Sequence, residues 1–153
     1  MGFLNSNPMT EDRRQHDIVM WFYQTYPHLE NQLFMVQNNT YSQAHGKRMV
    51  AMGLKKNVSD LLFYGKNIFA GIEVKIENST HQRDHIEGQM KFGESLIKNG
   101  HFFILSHKEE QIKQFIRLLI ESPEQAQNYA NEINNYTYEL LKSSTKKTII
   151  FGS

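Results

Sequence analysis

The sequence predicts a mixed α/β domain, and three observations carry that expectation. Short apolar runs of strand length alternate with longer segments whose apolar residues recur every three to four positions. Two strand-like runs, 58–64 and 68–76, are separated only by Gly65, Lys66 and Asn67, a hairpin-turn composition. The breaks between segments fall at Pro27, Gly53, Asn99-Gly100 and Ser122-Pro123, residue types that end helices or turn the chain. The 153 residues suit one domain, and 39% hydrophobic residues are enough to pack a core.

Taken in order, Pro8, Glu11 and Asp12 open the first helix. Proline is tolerated in a first turn, and acidic side chains meet the positive end of the helix dipole. Ile18, Trp21, Phe22 and Thr25 continue at helical spacing until Pro27. The Trp21-Phe22-Tyr23 run reads as core packing rather than a base-stacking platform. LFMVQ (33–37) predicts a short buried strand, and 42–52 a helix closed by Gly53. VSDLLFY (58–64) and IFAGIEVKI (68–76) form the hairpin, 84–98 a helix, and HFFIL (101–105) a strand. Residues 108–120 predict an amphipathic helix with Ile112, Phe115, Ile116 and Leu119 on one face. After Pro123 the composition turns rich in Asn, Glu and Tyr, with Tyr129, Ile133, Tyr136 and Leu140 on one helical stripe. The final KKTIIFGS is strand-like. The expected organisation is a core over 1–122 and a C-terminal helical and strand extension over 123–153, whose Tyr-rich stripe suits a homodimer contact.

No apolar run approaches the roughly 20 residues that span a bilayer. The opening MGFLNSNPMTEDRR lacks a basic start followed by an apolar stretch, so the expectation is a cytoplasmic protein with no membrane partner. The absence of cysteine removes disulfides, thiolate metal sites and cysteine nucleophiles. A net charge of +1 decides nothing about nucleic acid, because a basic patch can sit within a neutral total. Lys47, Arg48, Lys55 and Lys56 gather such a patch, which Arg13 and Arg14 could extend.

The residues suited to chemistry are Asp60 and Glu73-Val74-Lys75, on opposite arms of the hairpin. Strand side chains alternate, so Ile72, Val74 and Ile76 share the core face and Glu73 and Lys75 the other. Two carboxylates and an amine on rigid strands suit a hard divalent cation and charge building on a phosphate. Taken alone, Glu73 and Lys75 also fit a surface ion pair. His81 and His85, four apart, lack the further ligands of a zinc site, and Ser106-His107 has no partnered acid.

Around these residues, the strings MGLKKNVSDLLF, GIEVK and EGQMKFGESLIKNGHFFIL resemble the VRR-NUC nucleases, a branch of the PD-(D/E)xK restriction-endonuclease-like superfamily. The resemblance spans roughly residues 11–120 and runs through Glu11 and Gln15, Asn38, the Gly53-to-Asp60 turn, Glu73 and Lys75, Gln89 and Gly100. Asn57 and Ser59 stand where the family has Gly and Pro. Asparagine accepts a left-handed φ better than most residues, so the turn can survive.

The resemblance implies a restriction-endonuclease-like core, a mixed central sheet flanked by helices. It implies a Mg²⁺- or Mn²⁺-dependent DNA endonuclease, in which Asp60, Glu73 and the Val74 carbonyl ligate metal and Glu11 contacts it directly or through water. Lys75 then acts on the water or phosphate, and Gln89 supports the site. Gln15, Asn38, Lys47, Arg48, Lys55 and Lys56 contact substrate. Short stand-alone members resemble phage proteins acting on branched DNA such as Holliday junctions, leaving 5′-phosphate and 3′-hydroxyl ends. A flap- or restriction-type nuclease, a non-catalytic DNA-binding module and a structural phage protein stay open as alternatives.

Overall fold

The first helix is set by its cap. Thr10 Oγ1 accepts the Arg13 N–H at 3.1 Å, which satisfies a backbone donor that has no partner within the helix. Helix α1, Glu11–Thr25, then buries Arg14, Ile18 and Phe22, one side chain per turn. The computed structural model describes residues 8–36, 42–77 and 83–152, with side chains at all of these except 83, 84 and 144–152. A 3₁₀ turn over Pro27–Gln32 leads into β1, Leu33–Met35. Ser42 caps α2, Gln43–Ala51, by accepting the His45 N–H at 3.1 Å. The hairpin strands are β2, Leu61–Gly65, and β3, Ile68–Val74, joined by Lys66 and Asn67, the latter at φ +62°. Helix α3, Arg83–Lys98, ends at Gly100, whose φ of +82° suits glycine. Gly100 N–H donates to Ile97 and His101 N–H to Leu96, so two carbonyls at the helix end are satisfied. β4, Phe102–Ser106, and the helices α4, Glu109–Glu121, and α5, Pro123–Gly152, complete the chain.

The sheet order is β1-β2-β3-β4. The first two pairings are antiparallel, and β3–β4 is parallel across the α3 connection. One face of the sheet packs Ala70, Ile72, Val74 and Ile104 against Ile18 and Phe22 of α1, Ile112, Phe115, Ile116 and Leu119 of α4, and Ala126 and Ala130 of α5. The other face carries Phe103 and Leu105 against Met90 of α3, with Leu96, Ile97 and Tyr138 around them. Both faces are therefore covered, as expected when a parallel pair forms through a crossover helix.

Three expectations change. The strand expected over 58–64 begins at Leu61, and residues 58–60 belong to the turn that carries Asp60. Residues 146–152 of the ending expected to be strand-like are the last part of α5, because a helix already running from Pro123 satisfies its own backbone. The apolar stripe of that helix is also not the buried one. Ala126, Ala130, Asn134, Thr137 and Leu141 point inward, Tyr129 and Ile133 are partly buried, and Tyr136 and Leu140 are exposed.

The inward face of α5 is small and polar because of what it covers. β4 is an edge strand, whose outer backbone groups need partners. Asn134 Oδ1 accepts the Leu105 N–H at 2.7 Å while its Nδ2 donates to the Phe103 carbonyl at 3.0 Å. Gln127 Oε1 accepts the Phe103 N–H at 2.8 Å and its Nε2 donates to the same carbonyl at 3.2 Å. Two side-chain amides thus stand in for a neighbouring strand. Replacing Asn134 by Ala leaves the buried Leu105 N–H without its partner and takes one of two donors from the Phe103 carbonyl. We expect a loss of about 2 kcal/mol in unfolding free energy, read from urea denaturation. A midpoint equal to wild type would show that these bonds contribute nothing net.

Candidate active site

Asp60 is placed by a turn that the sequence makes possible. Asn57 holds φ at +66°, so the left-handed conformation expected of it is present. Its amide packs on Gly88 of α3, where a Cβ would come within 2.2 Å of Asn57 Nδ2. The turn and the helix are thereby docked. Asp60 Oδ2 then accepts the Val74 N–H at 2.8 Å, which ties the carboxylate to the end of β3.

Glu73 and Lys75 leave β3 on the face that α3 covers. Each is only 1% exposed, which excludes a surface ion pair. Gln89 Nε2 donates to Glu73 Oε1 at 2.7 Å, and Lys75 Nζ lies 3.9 Å from the same oxygen. Among the described residues, Glu73 Oε2 has no hydrogen-bond donor, and neither does Gln89 Oε1. Burial holds the Glu73 carboxyl well above the usual carboxylate range. The adjacent Asp60 raises it further, Lys75 opposes this, and Glu11 adds a smaller push in the same direction as Asp60. The structure therefore brings Asp60, Glu73, Lys75 and Gln89 together, with Glu11 within electrostatic reach.

Lys55 and Lys56 join them from the turn. With Asn57, Asp60, His85 and Gln89 they line a cavity of about 340 Å³, in which the two lysines are exposed and Asp60 is half-buried. Lys47 and Arg48 are exposed on α2. Gln15 lies elsewhere: its amide donates to Met35 Sδ at 3.9 Å and lines a separate groove between α1 and β1. Asn38 and His81 lie outside the described residues.

Two contributors were missed or misjudged in the sequence. Arg14 does not extend a surface patch. It is buried, and its Nη1 donates to the Lys75 carbonyl at 3.2 Å and to the His107 carbonyl, with Glu77 at 3.8 Å. It bridges the two parallel strands where their own ladder ends and so fixes the backbone that carries Lys75. Its place one turn before Ile18 and two before Phe22, on the buried stripe, was the available signal. His85 was weighed only with His81. Its spacing of four from Gln89 puts its Nε2 3.1 Å from Gln89 Nε2 at the cavity wall.

The donor set suits a hard divalent cation. A buried carboxylate oxygen with no donor, pressed against a second carboxylate, is an electrostatic deficit that such a cation relieves. Among the described residues no group of three His, Asp or Glu side chains stands close enough to hold a metal ion. Carbonyl, water or substrate oxygens would complete the shell around Asp60 and Glu73.

The fold is shared with a solved VRR_NUC domain protein, with a TM-score of 0.50 and 20% sequence identity. The match covers 73% of this chain and 92% of that one. No protein-family model and no curated protein matches the sequence. The four-stranded mixed sheet between helices is thus the fold of that VRR_NUC domain protein.

The Asn57–Gly88 contact makes a prediction of opposite sign to helix propensity. Alanine for glycine inside a helix normally stabilises by up to about 1 kcal/mol. Gly88→Ala should instead destabilise by about 1–3 kcal/mol, because the new methyl displaces the turn carrying Asp60. Thermal unfolding checks this, and a raised melting temperature would show that the turn is not docked on α3.

Proposed function

We propose that this VRR-NUC fold is a DNA endonuclease dependent on Mg²⁺ or Mn²⁺. The observation that carries the reading is the buried Glu73, with one oxygen held by Gln89 and Lys75 and the other lacking a donor beside Asp60. A purely structural acid in such a place would be fully paired or replaced by an apolar residue. When bound, a Mg²⁺ or Mn²⁺ ion held by Asp60, Glu73 and the Val74 carbonyl supplies Lewis acidity and a water of lowered pKa. The chain does the rest. Gln89 fixes the rotamer of Glu73 through its 2.7 Å hydrogen bond. Lys75 Nζ, immobilised by burial and by the Arg14 clamp on its carbonyl, orients the attacking water or donates to a non-bridging phosphate oxygen. Lys55 and Lys56 neutralise phosphates at the cavity rim, a contact that weakens with salt. Glu11 tunes the carboxylate pair from α1, directly or through water.

The finer reading includes branched DNA such as a four-way junction as substrate and a homodimer that presents two sites. A two-fold pair sets two cuts at a fixed separation. The exposed Leu140 of α5, and Met20, Phe34 and Met35 on α1 and β1, supply apolar surface for a dimer contact. Among the described residues no helix is long and apolar enough to cross a membrane. A cytoplasmic location is part of the same proposal.

Cleavage of labelled linear, flap and four-way-junction DNA tests the activity. Strand scission should require Mg²⁺ or Mn²⁺ and stop in excess chelator. Asp60→Asn, Glu73→Gln and Lys75→Ala should each lower the rate about a hundredfold or more while binding in Ca²⁺ persists. Wild-type rates in any of the three would overturn the assignment, and binding without scission would leave a DNA-binding module. The dimer is tested separately by light scattering coupled to size-exclusion chromatography: a monomer at micromolar concentration, alone and with junction DNA, refutes it.

A further inference from the structure

The last paired residues of the parallel ladder are Val74 and Ser106, and Glu73 sits opposite Leu105. One step further, Lys75 N–H still donates to the Ser106 carbonyl at 2.9 Å. Side chains alternate in register, so Lys75 and His107 project beside each other from the same face of the sheet. Arg14 ties their two carbonyls together. The His107 imidazole is buried, at 5% exposure, and Tyr136 of α5 lies over it with the rings 26° from parallel and centroids 6.3 Å apart. Tyr136 itself is 62% exposed. Two other exposed aromatics, Phe34 and Tyr64, pair with each other, and Tyr64 lies at the hairpin end of β2, away from Asp60.

We propose that Tyr136 is a stacking platform for an unpaired nucleobase next to the phosphate held at Asp60, Glu73 and Lys75. The position of that phosphate rests on the nuclease reading above. A tyrosine exposed on one helix is ordinary, but this one is pre-oriented on a buried ring, on the sheet face of the catalytic lysine. Burial lowers the pKa of the His107 imidazole, Glu77 opposes this, and Lys108 and Arg14 lower it further, which disfavours a positive charge on the ring beneath. Every base has a π-face, so the platform is tolerant of sequence. A base inside a duplex is already stacked on both sides, so the platform selects DNA in which a base beside the cut is free. The inward residues of α5 serve its own chain, and the Tyr136 ring beside them is left exposed.

The test uses full-length protein and DNA of one sequence in three forms: fully paired, carrying a short single-stranded gap, and carrying the same gap with abasic nucleotides. Affinity is measured by fluorescence anisotropy in Ca²⁺, and scission in Mn²⁺. Wild type should bind the base-bearing gap about tenfold more tightly than the abasic gap. Tyr136→Ala should remove that difference, and Tyr136→Trp and the distant Tyr64→Ala should keep it. Equal affinity of wild type for both gaps, or a difference that survives in Tyr136→Ala, overturns the platform. Base-dependent binding without scission strikes the nuclease reading and leaves the platform standing. Scission without base dependence does the reverse.

Discussion

β3 is covered on both faces, and the rest of the structure follows from that. Ala70, Ile72 and Val74 need an apolar lid, which α1, α4 and α5 supply. Glu73 and Lys75 on the opposite side are then enclosed by α3 instead of meeting water. An ionised carboxylate in such a place costs several kcal/mol unless it is paired and hydrogen-bonded. Gln89 donates to one oxygen of Glu73 with Lys75 Nζ 3.9 Å from it, and among the described residues the other oxygen has no donor. Glu73 Oε2 and Gln89 Oε1 are both among the buried polar atoms without a partner in the described residues, and perturbed groups of this kind collect at functional positions.

The parallel β3–β4 pair creates a second constraint, since it leaves β4 as an edge with unpaired backbone groups. Gln127 and Asn134 close it with their amides, which forces α5 against the strand and explains the alanines at 126 and 130. The same closure removes β4 from pairing with another chain. It also sets the rotation of α5, and that rotation puts Tyr136 over His107.

Arg14 links the two constraints. Its guanidinium sits where the β3–β4 ladder stops and gathers the carbonyls of Lys75 and His107. A planar group with several donors can hold two diverging strands, which a lysine could not do as well. The basic rim, Lys55 and Lys56, is separate from this buried cation and lies across the cavity on the turn docked at Gly88. Positive charge thus takes two places here, buried and structural at α1 and exposed at the turn.

Local chemistry made much of this legible in the sequence. The order of helices and strands, the Lys66-Asn67 hairpin, the left-handed Asn57 and the shared face of Glu73 and Lys75 all follow from periodicity and turn preference, which act over a few residues. What covers that face is not a local property. The sequence alone left Glu73 and Lys75 open to a solvated ion pair, let Arg14 extend a surface patch, and gave no sign that the inward face of α5 is small and polar. Tertiary structure decided otherwise because burial depends on which helix lies over which strand, and edge closure depends on which backbone groups are left without partners. Amphipathic patterns cannot reveal that a helix turns its asparagine inward, since the partner it satisfies is a strand edge nearly thirty residues earlier in the chain.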